Sequence, residues 1–115
     1  MEFLNRVNLA GIIGQVRVSE IGKTKYARVS LATNCAYKKD GSVVIETTWH
    51  NLTIFQSEKT CDLSLLEKGK ALQVVGRIRN QRYTGADGSE HYLCEIIVSE
   101  CSLIEGQLAM ETSGL

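Results

Sequence analysis

The 115-residue chain contains no proline, and none of its four cysteines lies in a Cys-x-x-Cys pair or another zinc-binding spacing. It also has no apolar run near the ~18 residues that a membrane helix needs, and no signal-peptide pattern at its start. We therefore expect a soluble, cytoplasmic protein whose cysteines are free and mostly buried. An apolar fraction of 43% is too high for a disordered chain, and the length allows one domain.

Sequence signatures of catalysis are missing as well. The two histidines, His50 and His91, do not have the spacing of metal ligands. We find no glycine-rich phosphate loop, no nucleophile elbow and no tight group of carboxylates. We expect no enzymatic activity, no metal and no cofactor, which leaves binding as the function to look for.

The net charge is zero, which by itself argues against a nucleic-acid partner, but the charges are unevenly distributed. Residues 1–86 hold all thirteen basic residues and seven acidic ones, whereas residues 87–115 hold six acidic residues and no basic one. Such asymmetry favours a polyanion partner, with chance clustering of surface charges as the alternative. We expect the basic part to face phosphates and the acidic end to stay away from them.

Two turn signals predict two β-hairpins. Asp40-Gly41 and Asp87-Gly88 each separate a pair of runs that are rich in β-branched and aromatic residues. The predicted hairpins join 26–37 to 43–55 and 72–79 to 91–98.

One strand and one helix complete the predicted fold. A strand over 7–18 contains Gly11 and Gly14, which indicate a bulge or a bend. Between Ser57 and Gly69 the apolar residues are near helical spacing, which predicts one short helix. This order is that of an all-β, five-stranded OB-fold barrel with one short helix between strands 3 and 4. We expect the barrel to cover 1–104, followed by a short mobile tail over 105–115.

Aromatic residues lie beside basic ones at two strand ends, where Tyr37 precedes Lys38 and Tyr83 follows Arg82. A nucleic-acid base stacked on such a ring is stabilised by ~1–3 kcal/mol, and neighbouring cations neutralise the flanking phosphates. Because every base has a π-face, such a surface need not read sequence.

The strand before Gln56 carries two further aromatics on one face. Trp49 and Phe55 share that face with small polar residues, which suits a stacking platform, while His50 points the other way. Three other aromatics are interpreted as core residues: Phe3, Tyr26 and Tyr92.

Five blocks of the sequence together resemble the bacterial single-stranded DNA-binding protein family, in order and over residues 4 to about 104. They are Asn5–Gly14, Thr48–Phe55, Leu66–Arg79, Tyr83-Thr84 with its Asp-Gly turn, and Glu95–Val98. The resemblance implies an OB-fold, usually a homotetramer, that binds and protects single-stranded DNA in replication, recombination and repair. It implies a nucleoid-associated location.

The resemblance also implies roles for individual residues. The stacking positions are Tyr37, Trp49, Phe55 and Tyr83, with Tyr where Trp is more usual at 37 and 83. Phosphate contacts fall on Arg6, Lys68, Arg79 and Arg82, to which we add Lys38 for its place beside Tyr37. The subunit contact falls on His50.

Two departures from the family pattern leave other functions open. Gln56-Ser57 stands where a basic residue is frequent, and 105–115 shows neither the long linker nor the acidic tip with which the family recruits other replication proteins. We therefore expect a short member that does not recruit them. The alternatives are a dimeric OB module like a primosomal replication protein, and an OB domain used only for protein interaction.

Overall fold

The computed structural model describes residues 1–106, 108 and 111–112. Within them lie five long strands, one two-residue strand and one 3₁₀ turn. The bounds are β1 Val7–Ile21, β2 Thr24–Lys39, β3 Ser42–Phe55, the 3₁₀ turn Leu63–Leu65, β4 Ala71–Thr84, β5 Glu90–Ile104 and β6 Glu111–Thr112.

The five long strands form a closed sheet. β1 pairs antiparallel with both β2 and β4, β2 pairs antiparallel with β3, and β4 pairs antiparallel with β5. A short parallel contact, Leu52–Ile54 against Ile96–Val98, joins β3 to β5 and closes the ring. This is the connectivity of an OB-fold barrel, so the predicted fold class is confirmed.

Side-chain alternation fills the barrel with apolar residues. On β3, Leu52 and Ile54 point inward and are almost wholly buried, while Trp49 and Phe55 on the other face are exposed. The largest enclosed side chains come from β1 to β4 and from the β3–β4 connection: Ile13, Leu31, Leu52, Ile54, Leu63, Leu72 and Val74.

Both predicted hairpins and the predicted bulge are present. Asp40 and Gly41 both have positive φ, 52° and 80°, which is the backbone of the two-residue turn that this dipeptide favours. The β4–β5 ladder runs to Thr84 and Glu90, on either side of the second turn. In β1 the register with β2 shifts between Ile13 and Gln15, so the extra residue is Gly14.

The predicted helix between β3 and β4 is wrong in kind, because the segment forms only the 3₁₀ turn. The backbone groups that a helix would use internally are held by side chains instead. The side chain of Gln56 bonds to Cys61 O and Leu63 N, and Asp62 accepts from Ser64 N. The apolar residues of this segment nevertheless serve the core, since Leu63 and Leu66 are buried in it.

The predicted mobile tail, 105–115, lies largely outside the described residues. Where it is described, Glu111–Thr112 forms β6, which pairs in parallel with β2 at Cys35 and Ala36. In the described part of the chain, no helix is both long enough and apolar enough to cross a membrane.

Candidate nucleic-acid interface

The outward face of β3 carries the first part of the site. Trp49, Asn51 and Phe55 are exposed there, and Trp49 is 59% exposed. The face predicted for Trp49 and Phe55 is thus the solvent face of the barrel. Thr53 lies on it too but is only 8% exposed, because its hydroxyl donates to the buried carboxylate of Glu95 at 2.8 Å.

The indole of Trp49 rests on the β1 bulge. A Cβ added to Gly14 would lie 2.8 Å from Trp49 Cη2, and closer still to Cζ3, so the ring occupies space that only a glycine leaves free. Ser30 fixes this part of β1, since its hydroxyl accepts a hydrogen bond from Gln15 N at 2.9 Å. One edge of the indole is therefore seated on backbone while much of the ring faces solvent.

Two further aromatic rings, those of Phe55 and Tyr83, lie elsewhere on the same outward surface. Phe55 is 43% exposed and packs on Tyr26, its register partner on β2, with ring centroids 5.9 Å apart. Tyr83 is 53% exposed and stacks on His91 across the β4–β5 hairpin, with centroids 5.2 Å apart. Tyr83 shares its ladder face with Arg79, four residues earlier on β4.

Tyr37 is not brought together with Trp49. It lies five positions along β2 from Ala32, the register partner of Trp49, and the ladder between them is unbroken. Because side chains alternate, the two rings leave opposite faces of the β2–β3 ladder, and Tyr37 is half-buried. Its neighbour Lys38 is exposed and falls on the Trp49 face.

A groove of about 670 Å³ runs across the outward face near the Trp49 seat. Three cations line it, Arg17, Arg28 and Lys68. Its polar lining includes Ser30 and Asn51, and Glu95 is its one acid. Only Lys68 was predicted as a site residue; the two arginines were visible merely as part of a basic segment, because their common groove depends on strand register.

The acid in this groove is already neutralised. Glu95 is 6% exposed, and its Oε1 accepts from Arg79 Nε at 3.0 Å and from Nη2 at 2.6 Å. Burial opposes ionisation, but the hydrogen bonds from Arg79 and Thr53, with the nearby charge of Arg28, hold the pKa of Glu95 below its usual value. The guanidinium of Arg79, 41% exposed, is thereby fixed at the surface.

The prediction that the basic residues of 1–86 and the acidic residues of 87–115 lie apart is wrong in the folded structure. Arg82 pairs with Glu90 at 2.8 Å, and Arg79 pairs with Glu95, so acids of β5 neutralise arginines of β4. Arg82 also lies on the ladder face opposite Tyr83, beside Tyr92. The groove-lining cations of β1 and β2 remain the positive part of the face.

The other predicted site residues lie away from the groove. Arg6 is exposed just before β1, where the side chain of Asn5 bonds to both backbone groups of Ile78. His50 is half-buried on the face opposite Trp49, with Nε2 2.8 Å from Thr33 Oγ1, and burial lowers its pKa. Its role at a subunit contact stays a prediction.

Two of the predicted core aromatics are wrong. Phe3 and Tyr92 are exposed, at 107% and 71%, because Phe3 precedes the first strand and Tyr92 lies on the β4–β5 hairpin. Tyr26 is half-buried against Phe55. Among the residues described, no cluster of three or more His, Cys, Asp or Glu could hold a metal ion.

The sequence matches one family model, described as the single-strand binding protein family, over residues 4–109. Among curated proteins it is 32% identical over 108 residues to a single-stranded DNA-binding protein of Xylella fastidiosa, covering 90% of this chain and 65% of that one. A protein of the same name from Neisseria meningitidis serogroup A is 31% identical, with 90% and 62% covered. The chain thus spans less than two thirds of the length of these relatives.

Solved structures show the same fold. One of them, described as the Plasmodium falciparum SSB complex with ssDNA, superposes with a TM-score of 0.73 at 23% identity, covering 90% of this chain and 96% of that one. A deletion mutant of the Thermus aquaticus single-stranded DNA binding protein gives the same score at 18% identity, with 90% and 52% covered.

Proposed function

We propose that this chain, which belongs to the single-strand binding protein family, binds and protects single-stranded DNA with little regard to its sequence. Bases would stack on exposed rings, and lysines and arginines would neutralise the phosphates between them. The observation that carries the proposal is the exposed indole of Trp49, which rests on Gly14, a residue that itself lines the groove with three cations.

Stacking needs a ring that is held in place but not covered. Trp49 and Tyr83 both fit this requirement, since each is more than half exposed and each is supported from one side, Trp49 by Gly14 and Tyr83 by His91. Rings of this kind lose little side-chain entropy when a base arrives, and they accept any base. Phe55 is supported in the same way by Tyr26.

Phosphate contacts would give most of the affinity and make it depend on salt. Lys68 lines the groove, and Arg79 is held at the surface by Glu95, with donors on Nη1 that Glu95 does not use. Arg82 lies on the face opposite Tyr83, so it would have to reach round the hairpin and leave Glu90 to meet a phosphate; leaving Glu90 costs little because that pair is exposed.

The assembly and the cellular role are part of the proposal. We expect a homotetramer, with His50 at a subunit contact on the face away from Trp49, that acts at the nucleoid in replication, recombination and repair. A dimeric mass in solution would favour the primosomal type of OB module instead.

The test uses the single tryptophan of the chain as its reporter. Titration with oligothymidylate should quench Trp49 fluorescence to saturation, while duplex DNA of the same length should leave it nearly unchanged. Labelled oligonucleotide should bind with a salt slope of about −0.7 per phosphate contacted. Equal affinity for duplex DNA would contradict the proposed preference for single strands. No binding at low salt, with the fluorescence unchanged, would overturn the proposal and leave the protein-interaction alternative.

A matched pair of tyrosines provides the control. Tyr83→Ala should weaken oligothymidylate binding by about 5- to 150-fold, the equivalent of ~1–3 kcal/mol for one stacked base. Tyr92→Ala removes a ring that is still more exposed but lies on the other face of the same hairpin, so it should change affinity little. Similar losses in both variants would contradict the assignment of the face.

A further inference from the structure

Arg17 and Arg28 face each other directly across the β1–β2 ladder. Residues opposite one another in an antiparallel pair have Cβ atoms about 5 Å apart and point to the same side of the sheet, and like charges in that relation are destabilising. The next charged pair of the same hairpin is Glu20 opposite Lys25, which has the attractive combination of signs. The arginine pair is thus a local departure from what stability favours.

Nothing in residues 1–106 compensates this repulsion by direct contact. Neither arginine has a carboxylate oxygen within 4.0 Å there, and the ion pairs found involve other basic residues. Glu95 also lines the groove and interacts electrostatically with Arg28, but both of its carboxylate oxygens already accept hydrogen bonds, from Arg79 and from Thr53. The two guanidinium groups are left available to an anion from outside.

The position of the arginine pair suits a phosphate of the DNA whose base would stack on Trp49. Both arginines line the groove, with Lys68 on its wall. Arg28 lies four residues along β2 from Ala32, the register partner of Trp49, which is about 13 Å of strand. A guanidinium presents donors as a planar fork that matches phosphate oxygens, so two opposed forks can hold one phosphate between them.

We propose that Arg17 and Arg28 form a two-arginine clamp for one backbone phosphate of bound single-stranded DNA. This inference rests on the proposed function, and it adds a site on β1 and β2 to the stacking surface. The opposed arginines lower the stability of the free protein, and the bound phosphate relieves their repulsion.

The test compares Arg17→Gln, Arg28→Gln, the double variant and the control Lys23→Gln. Lys23 follows Gly22 at the tip of the same hairpin and does not line the groove. Loss of one phosphate contact reduces the magnitude of the salt slope by about 0.7. The affinity should therefore fall by about eightfold at 50 mM salt, whereas at 1 M salt it should hardly change. Because a clamp needs both forks, each single variant should lose nearly as much as the double variant, and Lys23→Gln should lose little.

Thermal unfolding of the free protein supplies a second measurement. Each single substitution should raise the midpoint at low salt, since it removes the repulsion, and the gain should fade as salt screens the charges. An unchanged or lowered midpoint would overturn the claim that the pair is strained. Additive losses of DNA affinity, with a slope change near 1.4 in the double variant, would show two separate phosphate sites and overturn the single clamp.

The two proposals fail in different ways. If the unmodified protein does not bind oligothymidylate at low salt, the proposed function falls and the clamp falls with it. If the protein binds and Trp49→Ala weakens binding while the arginine variants bind normally, only the clamp is overturned.

Discussion

Replacing Gly14 with alanine tests whether the β1 bulge positions the Trp49 indole that we propose stacks on bases. The new Cβ would lie 2.8 Å from Trp49 Cη2 and nearer to Cζ3, where an ordinary contact is about 3.4 Å, so the ring must move by at least about 0.6 Å. The φ angle of Gly14 is not in the left-handed region, so alanine meets no backbone strain. The perturbation therefore acts mainly on the side chains that rest on the bulge, above all Trp49.

The expected effects on stability and on binding differ in size. Overfilling a packed site costs about 1–3 kcal/mol, and because Trp49 is 59% exposed its ring can swing outward, so we expect the lower end, about 1 kcal/mol. Stacking is lost more fully once the ring leaves its seat, and up to ~1–3 kcal/mol of DNA affinity should go with it. The emission of Trp49 should shift to the red as the indole becomes more hydrated.

A double-mutant cycle gives the decisive measurement. In a Trp49→Ala background nothing collides with the new methyl group on the indole side, so Gly14→Ala should cost almost no further affinity for oligothymidylate. Affinity is measured by anisotropy of a labelled oligonucleotide, and stability by denaturant unfolding. If Gly14→Ala binds DNA as well as the unmodified chain, or if its loss persists without Trp49, then Gly14 does not act through the indole.

Two other expectations concern buried groups. Glu95→Ala should destabilise the fold by about 1–3 kcal/mol, since Arg79 and Thr53 lose their acceptor. The pKa of Glu95 is lower in the folded state than the unfolded value near 4.5. Its stabilising effect is therefore present above pH 4.5 and is lost as the pH falls through the folded pKa. Urea unfolding from pH 7 to 3 checks this, and a loss that is the same at all pH values would contradict it. Among the cysteines, exposed Cys94 should be alkylated rapidly at neutral pH, whereas burial raises the pKa of Cys101 to about 12 and should protect it in the folded state. Timed labelling with mass spectrometry would refute this if both thiols reacted at one rate.

The β-strands could be predicted because their pattern is local. Alternation along β3, the turn dipeptides and the paired glycines of β1 each act within a few residues, and the structure agrees with all three. The predicted helix was wrong because it rested on apolar spacing and on capping signals between Ser57 and Gly69, which fit a short turn as well. Gln56 and Asp62 supply side-chain hydrogen bonds to the backbone there, and nothing in the apolar pattern records them.

The candidate site could be predicted only in part, because local sequence patterns do not record contacts between residues that are far apart in the sequence. Exposure of Trp49 follows from its strand face, but its seat on Gly14 joins residues 35 positions apart. Similarly, the sequence shows many basic residues without showing which of them meet an acid.

The sequence by itself determined the kind of protein: an all-β barrel with exposed aromatic rings, basic residues near them, and membership of a recognisable family. Tertiary structure alone decided which charges act. Register across β4 and β5 brings Arg79 to Glu95, 16 residues later, and Arg82 to Glu90, 8 residues later, while register across β1 and β2 sets Arg17 against Arg28. The physical reason is that charges interact through space over a few ångströms, and only strand pairing fixes which side chains come that close.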